Sequence, residues 1–520
     1  MRLGTITSPQ SKAHWLAISM LAVAIGLAVV FATTRSETNT SVLVLIMLIA
    51  PFVFLVTPDI EKIGMVIILL DIPLQIDTYL GFDATQTDYS AVIGFNFSIT
   101  TLALVLVYGH WALSYYRRRI EGAPKDTSSL DPSQLHARHK LTRLALLLPL
   151  MYVGFATLSY VVAPSPVRVS YELCMAVQVF LAAVYIITHI RTSKDLVFVC
   201  AWLVIGVCIS GLISAGLRVL GQGFNFGVLK GRVDEGWEGL RVGGTVGTPN
   251  TTAGYFCWAT IFACGLLLAK IPRWLKVTSA FGAIFGSIGL IATLSRGGWI
   301  AAGIAIIVLV ALGLYRRLIN PLAALVITLT LAGVMVAFQG VIVERLTTAD
   351  DHGSAESRIP LDEMAWTMIK DHPVLGVGLN NFELAMQDYL TPDMTGEWVY
   401  IVHNRYLLLW SETGVGGLVG YVGFILLGMV CGWQAIKARD PLLSPIALGA
   451  FAGCCGLLFH FAGDIFSGRN ATELAWLAAG LQLTLWRLST QPQESHDLQT
   501  SDSRGTRDMA QSARTERAYG

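Results

Sequence analysis

The stretch LVFVCAWLVIGVCISGLISAGLRVL, residues 196–220, decides the fold class. Its only formal charge is Arg218, close to its end. A helix that crosses a bilayer needs about 20 mostly apolar residues, and this run supplies them. Further candidates for the same window lie near 14–34, 41–57, 61–80, 91–112, 144–163, 171–190, 250–270, 277–295, 298–315, 321–339, 410–433, 444–463 and 473–488. Together with 196–220 they make fourteen. The weakest is 61–80, which contains Asp71, Pro73 and Asp77 and reads as a broken or re-entrant segment. The first span reads as mature chain, not as a cleaved signal peptide, because its apolar run is long and a second span follows at once.

Composition agrees. Of 520 residues, 54% are apolar and 14% charged, against about 25% charged in a soluble domain. That excludes a soluble enzyme, a disordered chain and a nucleic-acid binder. The balance of 36 basic against 35 acidic residues gives no case for a polyanionic partner. The eight cysteines (Cys174, Cys200, Cys208, Cys257, Cys264, Cys431, Cys454, Cys455) all fall in apolar runs and read as packing residues. The expected fold is an all-α integral membrane protein, a polytopic bundle of about 12–14 transmembrane helices with a large extracytoplasmic loop. One membrane domain covers 1–488, and a polar, disordered tail covers 489–520. No internal repeat is visible.

Orientation follows from Lys and Arg placement. Seven basic residues lie between Arg117 and Arg143. Lys270, Arg273 and Lys276 form a second cluster, and Arg316 with Arg317 and Lys437 with Arg439 form two more. With all of these facing the cytoplasm, fourteen spans put both termini there as well. Two long loops then face outward, roughly 221–249 and 340–405.

The informative arginines are those that ignore this bias. The loop 340–405 has four basic residues, Arg345, Arg358, Lys370 and Arg405, among eleven acidic ones. Arg345 beside Glu344 reads as a local ion pair. Arg296, in TLSRGGW, has no acidic residue within about twenty positions on either side. An arginine at membrane depth usually faces a partner or a wet cavity, although one at a span end can also snorkel to headgroups. As an anion-binding group it has Gly297 and Gly298 beside it, which let a bulky headgroup approach the backbone. In SRIPLDEMAWTMIKDHPVLGVGLNNF (357–382), the residues Ile359, Leu361, Met364, Ala365, Met368 and Ile369 recur at helical spacing. Pro360 suits the first turn and Pro373 the stop. An amphipathic helix on the outer membrane surface is expected, with Arg358 at its start.

His403, in VHNRYLLLWSETGVGG, lies where the loop re-enters the membrane. It is either an interfacial hydrogen-bonding residue or a proton-transfer group, with Arg405 or Glu412 placed to orient it and Asn404 beside it. In the other loop, RVGGTVGTPNTTAGY, Arg241 and Asn250 are the polar residues nearest the next span. Its glycines suggest a turn-rich lid in which Asp234, Glu235 and Glu238 neutralise Arg232 and Arg241. No metal-ligand spacing and no cofactor motif is seen.

Four stretches, RVGGTVGTPNTTAGY, TLSRGGW, SRIPLDEMAWTMIKDHPVLGVGLNNF and HNRYLLLWSETGVGGLVGY, occur in that order. Together, over about 240–425, they resemble the O-antigen ligase and polymerase superfamily of bacterial membrane glycosyltransferases. The resemblance implies transfer of a polyprenyl-pyrophosphate-linked glycan, without a nucleotide sugar, at the outer face of the inner membrane. The implied acceptor is lipid A-core for a ligase of lipopolysaccharide, or a growing glycan for a polymerase of O-antigen or exopolysaccharide. It also implies pyrophosphate binding by Arg296 and Arg358, a catalytic His403, and possible substrate contacts at Arg241, Asn250, Asn404 and Arg405. Fourteen spans exceed what many ligases have and lean toward a polymerase. The rival class is a polysaccharide or lipid-linked glycan transporter or flippase. Such a protein usually shows repeats and mid-membrane polar residues, whereas the suspect residues here gather at the outer face.

Overall fold

The computed structural model describes residues 59–80, 92–120, 132–226, 229–236, 239–337, 339, 340, 343, 358–390 and 401–490. The expected spans 14–34 and 41–57, Arg345 and the tail from 491 lie outside these residues. The helices are α1 (Ile60–Leu74), α2 (Ile99–Ile120), α3 (Pro132–Leu158), α4 (Pro166–His189), α5 (Ser193–Leu220), α6 (Pro249–Leu268), α7 (Arg273–Ala292), α8 (Arg296–Tyr315) and α9 (Pro321–Ala337). They continue with α10 (Arg358–Asp371), the short α11 (Phe382–Ala385), α12 (Arg405–Lys437), α13 (Leu443–Phe461) and α14 (Arg469–Ser489). Among the described residues, eight helices are long and apolar enough to cross a membrane. The chain is an all-α polytopic membrane protein.

The segment 61–80 is not one continuous helix. α1 stops at Leu74, and Gln75 takes a left-handed conformation with φ of 46°. Strand β1 (Asp77–Leu80) follows and pairs antiparallel with β2 (Phe95–Ser98). The cause is local, because Pro73 cannot extend a helical ladder. Asp71, fully buried, turns its carboxylate to the amide of Ile76 at 2.8 Å and the hydroxyl of Thr100 at 2.7 Å.

The loop 221–249 also differs from the expected turn-rich lid. It forms a three-stranded antiparallel sheet of β3 (Phe224–Phe226), β4 (Leu229–Gly236) and β5 (Gly239–Gly244). Val233 faces Val242 in its register, and both pack against Leu217 of α5.

Helix α6 sits at the centre of the bundle, with Phe256, Trp258 and Phe262 buried. Its Gly265 meets Gly449 of α13 so closely that a Cβ there would lie 2.6 Å from the Gly449 Cα. Small residues at a crossing let two backbones approach in this way. The outward faces of α8 and α9 carry exposed Ile300, Ile307, Leu322, Leu325 and Leu329, the apolar surface that a bilayer covers.

Helix α10 has the expected bounds but a different setting. Leu361, Met364, Ala365, Met368 and Ile369 are buried, while Ile359 is exposed. Its apolar face packs on protein, against Phe382, Val402 and Leu408. The GVGLNN turn then docks into a break in α12. Gly414 there has φ of 71°, and the amides of Val377 and Gly378 bond the carbonyls of Ser411 and Glu412 at 2.7 and 3.0 Å. A Cβ on Gly414 would collide with the Val374 carbonyl, so only glycine fits. Asn380 and Asn381 pin the same turn to Val92 and Ser165. The loop that carries Arg358 is thereby locked to the bundle ahead of α12.

Candidate active site

A cavity of about 470 Å³ opens where the loops meet the bundle, within the roughly 300–1,000 Å³ typical of small-molecule sites. Its walls come from five places. Gln75 and Tyr79 follow the break of α1, and Arg232 comes from β4. Thr248, Asn250 and Thr251 come from the start of α6. The segment that enters α12 gives His403, and the α13–α14 turn gives Asp464, Phe466 and Asn470.

His403 is set by the start of α12. Asn404 is the N-cap, and its side-chain oxygen accepts the amides of Tyr406 and Leu407 at 3.1 and 3.3 Å. That is the usual work of Asn at a helix start, and it fixes the residue before it. Burial pushes the His403 imidazole below its ordinary value of 6.5; the Arg358 charge adds to this, while Asp464 and a bond with the Ile401 backbone oppose it. The ring is therefore neutral near pH 7, the form that accepts a proton. Asp464 sends one carboxylate oxygen to the amide of Ile465 at 2.7 Å. Its other oxygen is buried and has no hydrogen-bond partner among the described residues.

Arg358 is the first residue of α10, and its Nη1 donates to the Gly463 carbonyl at 3.2 Å, next to Asp464. Arg296 is the first residue of α8, behind the N-cap Ser295, whose hydroxyl accepts the Gly298 amide at 3.2 Å. A helix start adds partial positive charge to that of the arginine. At Gly297 an added Cβ would sit 3.3 Å from Nε2 of His460. His460 in turn lies in the fields of Asp464 and Arg358. The Ser-Arg-Gly turn, Arg358 and His403 thus surround a shared pair, His460 and Asp464. Arg241 joins the same group from the side. It donates to the Thr293 carbonyl at 3.2 Å and to Asn250 Oδ1 at 2.8 Å, which ties β5 to the turn that carries Arg296.

Not every expected residue faces the cavity. His403 and Asn250 line it; Arg241, Arg296, Arg358, Asn404 and Arg405 do not. Arg405 is fully buried on the other side of the α12 start, 5.1 Å over the Tyr421 ring and in the fields of Glu172 and Glu412. Glu412 accepts the Phe382 amide at 3.2 Å. Those two residues hold the loop and α12 together in place of orienting His403.

Sequence reasoning missed Asp464, His460 and a buried cluster under the cavity floor. In that cluster Arg469 Nη2 reaches Asp71 at 3.0 Å and Asp77 at 3.7 Å, and its Nη1 reaches Glu473 at 2.8 Å. Burial pushes the Asp77 carboxyl up, against the lowering effect of Arg469. A signal existed for part of this, since Arg469 and Glu473 are four apart on one helix. The partners Asp71 and Asp77 lie about four hundred positions away and were visible only as defects in a span.

Residues 281–422 match the family model described as O-antigen ligase. That match places this segment in the O-antigen ligase superfamily. It contains Arg296, Arg358 and His403, begins after Arg241 and Asn250, and ends before Asp464. No curated protein matches the chain.

Proposed function

We propose that this chain transfers a polyprenyl-pyrophosphate-linked glycan to an acceptor at the outer face of the inner membrane, in surface polysaccharide assembly. The observation that carries the reading is a neutral histidine and a carboxylate lining one cavity, with Arg358 bonded to the Gly463 carbonyl beside that carboxylate and the turn that bears Arg296 packed against His460. In the reaction the acceptor hydroxyl oxygen bonds to the anomeric carbon as the bond from that carbon to the diphosphate oxygen breaks. The hydroxyl proton passes to His403, and Asp464 stabilises the imidazolium that results. Negative charge develops on the departing diphosphate. Arg296 and Arg358 receive it with charge-assisted hydrogen bonds, which strengthen where water is scarce. Arg241 positions the Arg296 turn and Asn250. In this reading both termini are cytoplasmic and the donor enters from the outer leaflet.

The superfamily segment is shared by ligases and polymerases. Deletion of the gene, followed by analysis of surface glycan, separates them. Loss of long chains from lipid A-core with free polymer retained marks a ligase. A single-repeat product marks a polymerase. Loss of all extracytoplasmic donor, with donor accumulating inside, would overturn the transferase reading in favour of a flippase.

A further inference from the structure

One wall of the cavity is left unused by this mechanism. It consists of Gln75 and Tyr79, beyond the break of α1, and Arg232 of β4. The Arg232 guanidinium donates to Gln75 Oε1 at 3.2 Å, a neutral acceptor. Among the described residues no carboxylate lies within ion-pair distance of it, although its charge acts on Asp77. Asp77 is held by Asn96 at 3.0 Å and by Arg469 at 3.7 Å. A register shift between Arg232 and Val233 interrupts the ladder, and such bulges re-aim a side chain. Gly247, with φ of 142°, brings its backbone against the same guanidinium, and an added Cβ there would lie 3.4 Å from Nη1.

The remaining groups on this wall have the chemistry of a sugar site. Tyr79 offers a half-buried aromatic ring whose phenol burial keeps neutral. Gln75 offers an amide, and Thr248 and Thr251 offer hydroxyls on the adjoining edge. An exposed arginine among them selects for charge, because a guanidinium bonds a carboxylate or phosphate in a two-point fork. We infer that the Gln75–Tyr79–Arg232 wall is the acceptor subsite and that it takes a sugar carrying a negative group, a carboxylate or a phosphate. The inference rests on the glycan-transfer reading for the word acceptor, and on the cavity alone for the anionic sugar.

The test uses the full chain in lipid nanodiscs and three probes: methyl glucoside, methyl glucuronide and methyl glucoside 6-phosphate. Binding is measured by saturation-transfer NMR, with inorganic pyrophosphate titrated separately. One or both anionic probes should bind about tenfold more tightly than the neutral glucoside, and whichever gains more tells carboxylate from phosphate. Arg232→Gln should erase that preference while leaving pyrophosphate binding unchanged. Tyr79→Ala should weaken all three sugars together. Equal binding of neutral and anionic probes, no sugar binding, or a preference that survives Arg232→Gln overturns the subsite. Arg296→Gln with Arg358→Gln tests the other reading apart from it. If pyrophosphate binding is indifferent to that pair, the donor site is lost, whatever the sugars do.

Discussion

Arg469→Met is the substitution whose cost follows most directly from the structure. Arg469 is 2% exposed and holds Asp71, Asp77 and Glu473 under the cavity floor. Removal of one partner from a buried ion pair costs about 3–5 kcal/mol, chiefly because the other charge is left buried and unpaired. Here three carboxylates lose the one cation that contacts them among the described residues, so the upper end of that range applies unless they take up protons. Asp71 keeps its bonds from Ile76 and Thr100, which limits its share; Glu473 has no second hydrogen-bond donor among the described residues. The variant should melt well below the parent in detergent, and its melting temperature should recover at lower pH as the carboxylates protonate. The sign is fixed by the Asp77 shift. A carboxyl that burial already pushes up, and that then loses the cation opposing the shift, is protonated more readily in the folded state than in the unfolded one. Adding Asp71→Asn and Glu473→Gln to Arg469→Met should restore part of the loss. A single variant that melts with the parent across pH 5–8 would refute the clamp.

Other predictions concern the site itself. His403→Ala should abolish transfer while the protein stays folded in the membrane, as seen by its elution profile and thermal transition. Because burial and Arg358 push the His403 imidazole down, the acidic limb of the rate profile should lie below pH 6.5. Asp464→Asn removes an influence that raises it, so the limb should move to still lower pH while the maximal rate falls. Arg296→Gln and Arg358→Gln should each lower the transfer rate by about 10²–10³-fold, measured with donor saturating. Gly414→Ala should prevent correct folding, since its Cβ meets the Val374 carbonyl at a left-handed backbone position; normal yield and activity would contradict the docking of the loop into α12.

The bundle was legible because a bilayer imposes a length and an apolarity that a 25-residue run such as 196–220 either meets or does not. Arg296 and Arg358 drew notice because charge is scarce there and each departs from the positive-inside bias, yet neither lines the cavity. His403 stood out through its place at the end of the loop. What stayed hidden was pairing across distance. Asp464 and His460 sit at the end of an ordinary span and gain meaning only when the α13–α14 turn folds against Arg358 and Gly297. Arg405 carried the same sequence signal as Arg358, yet it starts a helix with its side chain turned into the protein, against Tyr421. The sheet 224–244 was obscured by its glycines, although Val233 and Val242 mark inward positions on paired strands. The apolar face of α10 reads equally well as a membrane-facing stripe and as a protein-facing one; only the partners Phe382, Val402 and Leu408 decide between them.

The most direct test of the account is transfer by the purified full chain in lipid vesicles. The donor is a polyprenyl-pyrophosphate-linked glycan, no nucleotide sugar is added, and lipid A-core or a second lipid-linked glycan serves as acceptor. The account predicts a product of higher mass, free polyprenyl pyrophosphate in equal amount, and neither with His403→Ala. Absence of product with both acceptors from folded protein, or product formation undiminished by His403→Ala, would contradict it.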